Sequence, residues 1–481
     1  MPALLRRLLP KPVANTGSQL RDHHANERTF LSWTRMGLAF AAMGLAIGRL
    51  GVVEQMLNPQ PVQHSQSTAQ VYENNTETTS VSNNINPDLL ASRLCQGISI
   101  WSFGYGLFRY LSVRRNLGRG EFVPAVWGPV VMTVVMPTHT VFRFPTRKTI
   151  EDIVSLVEEI PTITKYEVLI KVRAVSLNSR DLQIATSNYP AFVAENLIPC
   201  SDASGDIVAV GEGVRDLAIG DRVVVSFDIA HQYGPQKDFL TCQGGGVDGV
   251  LAQYIARPAS SVVKIPAEAP QSYSELASLV CTGTTSWNAL YGNMPLKPGQ
   301  AVLVQGTGGV SMTALVLAKA AGATTIVTSS SDKKLELVKS QLQPDHCINY
   351  RTTPNWAAKA LELTNGKGVD HIIEIGGIGT IEQSIHAIAP GGLISVVGYL
   401  ATCEPEKRPD VPLLSLLKNC VIRGVLIGPR CMLEDLVTFV ERRKLRFLIE
   451  KEYSFSREGV VEAYKAIQTG RHVGKICITV D

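Results

Sequence analysis

The chain predicts an α/β protein in which a helical, membrane-type segment precedes a β-barrel-like module and then a doubly wound parallel sheet. Three observations carry that prediction. Residues 301–311 read Ala-Val-Leu-Val-Gln-Gly-Thr-Gly-Gly-Val-Ser, an apolar strand running into a glycine turn. Runs that alternate apolar and polar residues recur between 167 and 265, and two apolar stretches bordered by arginine lie before residue 112. Period-two alternation belongs to half-buried strands, whereas a short continuous apolar run closed by glycine belongs to a buried parallel strand.

In chain order, the first element is residues 1–125, with candidate membrane helices at 31–53 and 94–111. The uninterrupted apolar part of the first, Met36 to Gly48, is shorter than the ~20 residues that cross a bilayer. Arg35 and Arg49 would have to snorkel to extend it. Glycine and alanine at 37, 39, 41, 42, 44, 46 and 48 equally suit a pair of buried or interfacial helices. Arg6, Arg7, Lys11, Arg21 and Arg28 precede the first stretch, Arg114, Arg115 and Arg119 follow the second, and residues 54–86 between them carry no Lys or Arg. That asymmetry expects both ends, and the remainder of the chain, on the cytosolic side of a membrane. Without insertion the protein would be cytoplasmic. Residues 126–136 read as a linker or a truncated third span, broken up by Pro124, Pro129 and Pro137.

Composition excludes other classes. Lys and Arg number 46 against 42 Asp and Glu, and charged residues make up only 18% of 481, so no nucleic-acid partner is expected. The nine cysteines contain no CxxC pair, a pattern of reduced thiols that fits neither a disulfide framework nor a zinc knuckle.

From 137 to 269 the alternating runs 167–176, 203–210, 221–227 and 262–265 predict the barrel-like module, which the C-terminal residues 430–481 complete. Residues 270–429 hold the doubly wound sheet. After the strand at 301–305, Gly306 turns the chain, Gly308 and Gly309 keep the backbone open to a pyrophosphate, and a helix from Met312 to Ala321 aims its free N–H groups at the negative charge. Ser311 stands where a third glycine often sits, Gly322 stops the helix, and Thr324 to Thr328 is the second strand. A strand at 369–375, a helix to Ala389, Pro-Gly-Gly and a strand to Val397 continue the pattern. The unit is that of a dinucleotide site. An acidic residue at the end of its second strand would repel a 2′-phosphate; here Ser329 and Ser330 stand there, with Lys334 one helical turn on, so NADP(H) is expected. Alternatively, Lys334 is an exposed helix lysine paired with Glu336 or Glu362.

Beyond these local patterns, residues 137–481 resemble the medium-chain dehydrogenase/reductase superfamily, and in particular its zinc-free, quinone-oxidoreductase-like branch. The resemblance rests on Leu-Asn-Ser-Arg-Asp at 177–181, Asp-Ala-Ser-Gly at 202–205, Gly-Val-Asp-Gly at 246–249, Gly-Thr-Thr-Ser-Trp at 283–287, the turn at 306–311 and His-Val-Gly-Lys at 472–475. It implies a GroES-like domain and a Rossmann domain, a homodimer, and hydride transfer to a small carbonyl or quinone. It further implies Tyr189 and Asn178 as catalytic groups, Asn178 also near the nicotinamide ribose, and cofactor contacts from Thr285, Val310, Tyr350, Gly376, Gly398 and Lys475. Arg180 and Asp181 are expected to pair with each other, and Cys281 to be a small residue beside the cofactor. Zinc-dependent members of the superfamily hold metal through Cys, His-Glu and Cys; at those places this chain has Ser179 or a neighbour, Ser201-Asp202 and Cys281, so no metal is expected. The N-terminal run Arg21 to Arg35, with Ala-Asn-Glu-Arg-Thr-Phe-Leu-Ser-Trp at its centre, resembles a small membrane domain of unknown function found in YidH-like proteins and vacuolar transporter chaperones. A cofactor-bound scaffold without turnover, or two halves that work independently, are the alternatives to a membrane-attached reductase.

Overall fold

The computed structural model divides into two compact units, 1–136 and 137–481. It describes residues 137–480 throughout and only scattered positions before them. In the first unit the described residues are helical at Thr34 and Arg35 and at intervals from Gln96 to Leu111. Among the described residues no helix is long and apolar enough to cross a membrane; most of the expected spans, and the linker at 126–136, lie outside those residues.

The second unit has two lobes, as the alternation and the glycine turn predict. Its first lobe opens with the hairpin β1 (Thr138–Arg143) and β2 (Val154–Glu159). The long strand β3 (Glu167–Ser176) buries every second residue and pairs antiparallel with β4 (Asp202–Val210). Between these two strands lies the short helix α1 (Ser179–Ala185). β5 (Arg222–Val225) pairs with β4, β6 (Tyr254–Pro258) with β3, and β7 (Val262–Lys264) with β5.

The second lobe is a six-stranded, wholly parallel sheet. A helix, α2 (Tyr273–Ser278), runs through a π-turn at Leu279–Gly283 into α3 (Thr284–Tyr291) and leads to β8 (Ala301–Gln305), whose five residues are all buried. Burial on both faces is why this strand reads as a continuous apolar run. Gly306 has φ +73°, a conformation that L side chains rarely adopt, and it turns the chain into α4 (Gly309–Ala320). Then follow β9 (Thr324–Ser329), α5 (Asp332–Leu342), β10 (His346–Asn349), α6 (Trp356–Leu363), β11 (Val369–Glu374), α7 (Ile381–Ala387), β12 (Ile388–Val396), α8 (Val411–Lys418) and β13 (Val421–Gly424). The strand order β10-β9-β8-β11-β12-β13 places the doubly wound switch between β8 and β11. One expectation is corrected: Pro390-Gly391-Gly392 lies inside β12, because Ile388 already pairs with Val369 before the ladder slips and resumes at His371 and Leu393.

The chain then returns through α9 (Arg430–Arg443) to β14 (Ile449–Ser454), α10 (Arg457–Gln468) and β15 (Lys475–Thr479), and β15 pairs with β3 of the first lobe. An isolated bridge between Gly308 and Gly474 joins this last strand to the glycine turn. The fold is therefore a GroES-like domain closed by the C-terminal strands and joined to a Rossmann-type domain, with a cavity in the cleft between them.

Candidate active site

A cavity of about 390 Å³ opens where α1 and β15 of one lobe meet α3, α4 and the ends of β11 and β12 of the other. It gathers Asn178, Tyr189, Thr285, Gly309, Val310, Gly398 and Lys475 from the sequence-derived set. Asn178 is placed by helix geometry: it is the N-cap of α1, and its backbone N–H donates to Oδ2 of Asp181 at 2.7 Å. The carboxyl group of Asp181 is pushed up to about 6 by burial, with neighbouring Arg180 pulling the other way.

Arg180 does not form the expected ion pair with Asp181. Its Nη1 donates to the Gln243 carbonyl at 2.9 Å, and its guanidinium lies between two rings, 5.1 Å from the centre of Tyr189 and 4.7 Å from that of Phe227. The helix points consecutive side chains in different directions, so Asp181 turns back to its cap while Arg180 reaches outward. Burial raises the Tyr189 hydroxyl above its usual value and the Arg180 charge opposes that rise. Phe239 meets Tyr189 edge to face at 6.4 Å, which fixes the ring at the cavity wall.

Lys475 is 4% exposed, and its Nζ donates to the Leu177 carbonyl at 2.6 Å and to Asn178 Oδ1 at 2.7 Å. Its stem crosses the start of α4, where a Cβ on Gly309 would lie 2.5 Å from Lys475 Cδ. Asp202 is fully buried beneath: it accepts from the Ser201 hydroxyl at 2.6 Å and from the Cys281 N–H at 3.1 Å. Burial raises its carboxyl group and Lys475 opposes this. Cys281 borders the cavity, its thiol pushed up by burial, which suits an inert packing residue.

The remaining positions lie along the cleft. Gly306 and Gly308 form the turn before α4. Ser329 ends β9, its Oγ accepting from the Ser331 N–H, with Ser330 between them. Lys334 pairs with neither Glu336 nor Glu362, which are held by Lys339 and Lys359; its Nζ reaches across to the Gly470 carbonyl at 3.0 Å. Tyr350 is 41% exposed just after β10. Gly376 is buried, and its N–H donates to Gln305 Oε1 and Glu374 Oε1, so it shapes the turn and has no donor left for a ligand. Glu374 anchors that turn by also accepting from Gly377 N–H, Thr380, Ser384 and Gln305. Sequence reading missed Phe239 and the hydrogen bond from Gln183 to Tyr399 at the cavity wall; both depend on contacts that no local pattern announces.

Comparison with known proteins supports this fold. Residues 164–267 match the alcohol dehydrogenase GroES-like domain, residues 309–442 the zinc-binding dehydrogenase family, and residues 21–116 a domain of unknown function, DUF202. A zinc-type alcohol dehydrogenase-like protein of Schizosaccharomyces pombe is 40% identical over 321 residues, 66% of this chain and 91% of that one. An alcohol dehydrogenase of Geobacillus stearothermophilus is 30% identical over 67% of this chain and 95% of its own length. The crystal structure of an NAD-dependent alcohol dehydrogenase, 27% identical, superposes with a TM-score of 0.64 over 71% of this chain and all of that one.

The matched family's description raises the question of zinc, and the donors here do not fit it. At the places named above, Asn178 Oδ1 is taken by an ammonium and the Ser201 hydroxyl is donated to Asp202, which leaves Cys281 as the one soft donor. Among the described residues no three His, Cys, Asp or Glu side chains come together to hold a metal ion.

Proposed function

We propose, from the premise that this chain belongs to the zinc-type alcohol dehydrogenase-like proteins of the medium-chain dehydrogenase/reductase superfamily, that residues 137–481 are an NADPH-dependent, zinc-independent reductase of activated carbonyl compounds. Enones, quinones and aldehydes are the substrate class, as in the quinone-oxidoreductase-like branch. The observation that carries this reading is the cavity itself, which joins the N-terminal end of α4 to Tyr189 and Asn178. When bound, NADPH supplies a hydride. Gly306, Gly308, Gly309 and Val310 would hold its pyrophosphate, Thr285, Gly398 and Asn178 its nicotinamide end, and Ser329, Ser330, Lys334 and Tyr350 its 2′-phosphate. Without a metal, reduction of an already polarised acceptor needs orientation and a donor for the developing oxyanion. Tyr189 is that proton donor, with the Arg180 charge supporting its phenolate.

The test is NADPH consumption by the full chain with a panel of enones, quinones and aldehydes. Tyr189→Phe is expected to lower kcat about 100-fold while KM stays near its parent value. Failure of the parent to consume NADPH with any acceptor would favour a cofactor-bound scaffold.

The N-terminal unit would attach the reductase to a membrane with the catalytic lobes on the cytosolic side, as its arginine pattern suggests. A homodimer is supported by the edge strand β13 and by α8, which buries none of its residues and leaves Leu416 and Leu417 about three-quarters exposed. Light scattering is expected to return twice the chain mass, and Leu416→Glu with Leu417→Glu to halve it; a parent that scatters as a single chain contradicts the homodimer.

A further inference from the structure

Lys475 sits in the cavity wall as an ammonium held only by neutral groups. An ammonium has three donors, and two are used, on the Leu177 carbonyl and Asn178 Oδ1. Both acceptors are neutral, although the carboxylates of Asp202 and Asp181 feel its charge. The lysine is therefore positioned by hydrogen bonds without being neutralised by a contact. Its position is built into the fold: the stem crosses Gly309 because that residue has no side chain, and the Gly474 N–H fixes the strand end by donating to the Thr307 carbonyl at 2.9 Å. It also lies among the residues that stand where the matched family carries its metal donors.

We propose that of the two cations lining this cavity, Arg180 serves Tyr189 while the ammonium of Lys475 stabilises the oxyanion of the acceptor, a task for which the chain has no fitting metal donors. The proposal rests on the reductase reading above. In the step, the electrophilic carbon of the acceptor would gain a C–H bond from the hydride that a bound reduced nicotinamide supplies, the nicotinamide being oxidised in return. The π pair of the acceptor moves to its oxygen, which is held by the third N–H of Lys475. A proton from Tyr189 completes the product, and the tyrosine regains its proton from solvent. Buried in a water-poor wall, an ammonium stabilises such an oxygen far more than it would in bulk water.

The test uses an oxyanion probe and needs no turnover. 4-Nitrophenol added to the full chain, treated with EDTA, reports its ionisation by the absorbance of the phenolate. The bound phenol is expected to ionise at least about one pH unit below the free phenol, since an adjacent cation favours the charged form. Lys475→Met is expected to abolish that shift and Lys475→Arg to retain most of it, with circular dichroism confirming that the variants fold. An unshifted ionisation in the parent, no binding of the phenol, or the same shift in the folded Lys475→Met variant would each overturn the proposal. An unshifted parent overturns the proposal even if Lys475→Met does not fold, and in that case Arg180→Met separates the two cations of the cavity: a shift that persists in it belongs to Lys475, and one lost with Arg180 overturns the proposal. Should the probe respond as expected while no acceptor is reduced, it is the reductase reading that fails.

Discussion

Gly309→Ala is expected to lower kcat about 100-fold, a larger effect than a single methyl group at a helix start would ordinarily have. The new Cβ would lie 2.5 Å from Lys475 Cδ and 3.0 Å from Thr282 Cγ2. Thr282 is buried and its hydroxyl is committed to the Ser278 carbonyl, so the flexible lysine must move. Once it moves, its Nζ leaves the Leu177 carbonyl and Asn178 Oδ1. Removing one preorganised donor from an oxyanion site costs about 10²-fold or more in rate. The overpacking itself costs about 1–3 kcal/mol of stability, so the variant should still fold. Steady-state kinetics and urea unfolding on the same preparation separate the two effects. Unchanged kcat together with a normal unfolding midpoint would show that the position of Lys475 does not matter to turnover.

Ser329→Asp is expected to reverse the cofactor preference. Ser329 closes β9 at the place where the adenosine ribose is held in this fold, and its side chain is almost wholly buried. A carboxylate there would accept from a ribose 2′-OH and repel a 2′-phosphate. Two unit charges at about 4 Å in a partly screened site repel by about 4 kcal/mol, which corresponds to about a thousandfold in affinity. The ratio of NADPH to NADH affinity should therefore fall by about that factor, mostly through weaker NADPH binding. In the proposed reading Lys334 would contribute from the helix side: its ammonium rests on the Gly470 carbonyl, a neutral partner that a phosphate would displace. A ratio that does not change in Ser329→Asp would place the phosphate elsewhere.

The parts of this molecule that could be read from sequence are those set by local periodicity. β3 occupies 167–176 as the alternation predicts, because a strand with one buried face writes that face into every second residue. The turn at Gly306 and the stop at Gly322 were legible because both need a positive φ, and both have one. Pro390-Gly-Gly misled, since proline and glycines inside a strand are tolerated at the ladder's irregularity. Seven of the residues singled out from the sequence line one cavity, whose geometry was illegible. Nothing near Asn178 announces that its amide oxygen is held by a lysine 297 residues away, or that Arg180 leaves Asp181 to lie between Tyr189 and Phe227. Such contacts depend on the return of β15 to the first lobe, which no window of sequence contains.

The central claim, an NADPH-dependent reductase, is tested most directly by titrating the full chain with NADPH and with NADH in parallel and following nucleotide fluorescence. The account predicts binding of NADPH at least about 100-fold tighter than NADH, as a hydroxyl and lysine pocket for the 2′-phosphate requires. Equal affinity for the two nucleotides, or binding of neither, would contradict it.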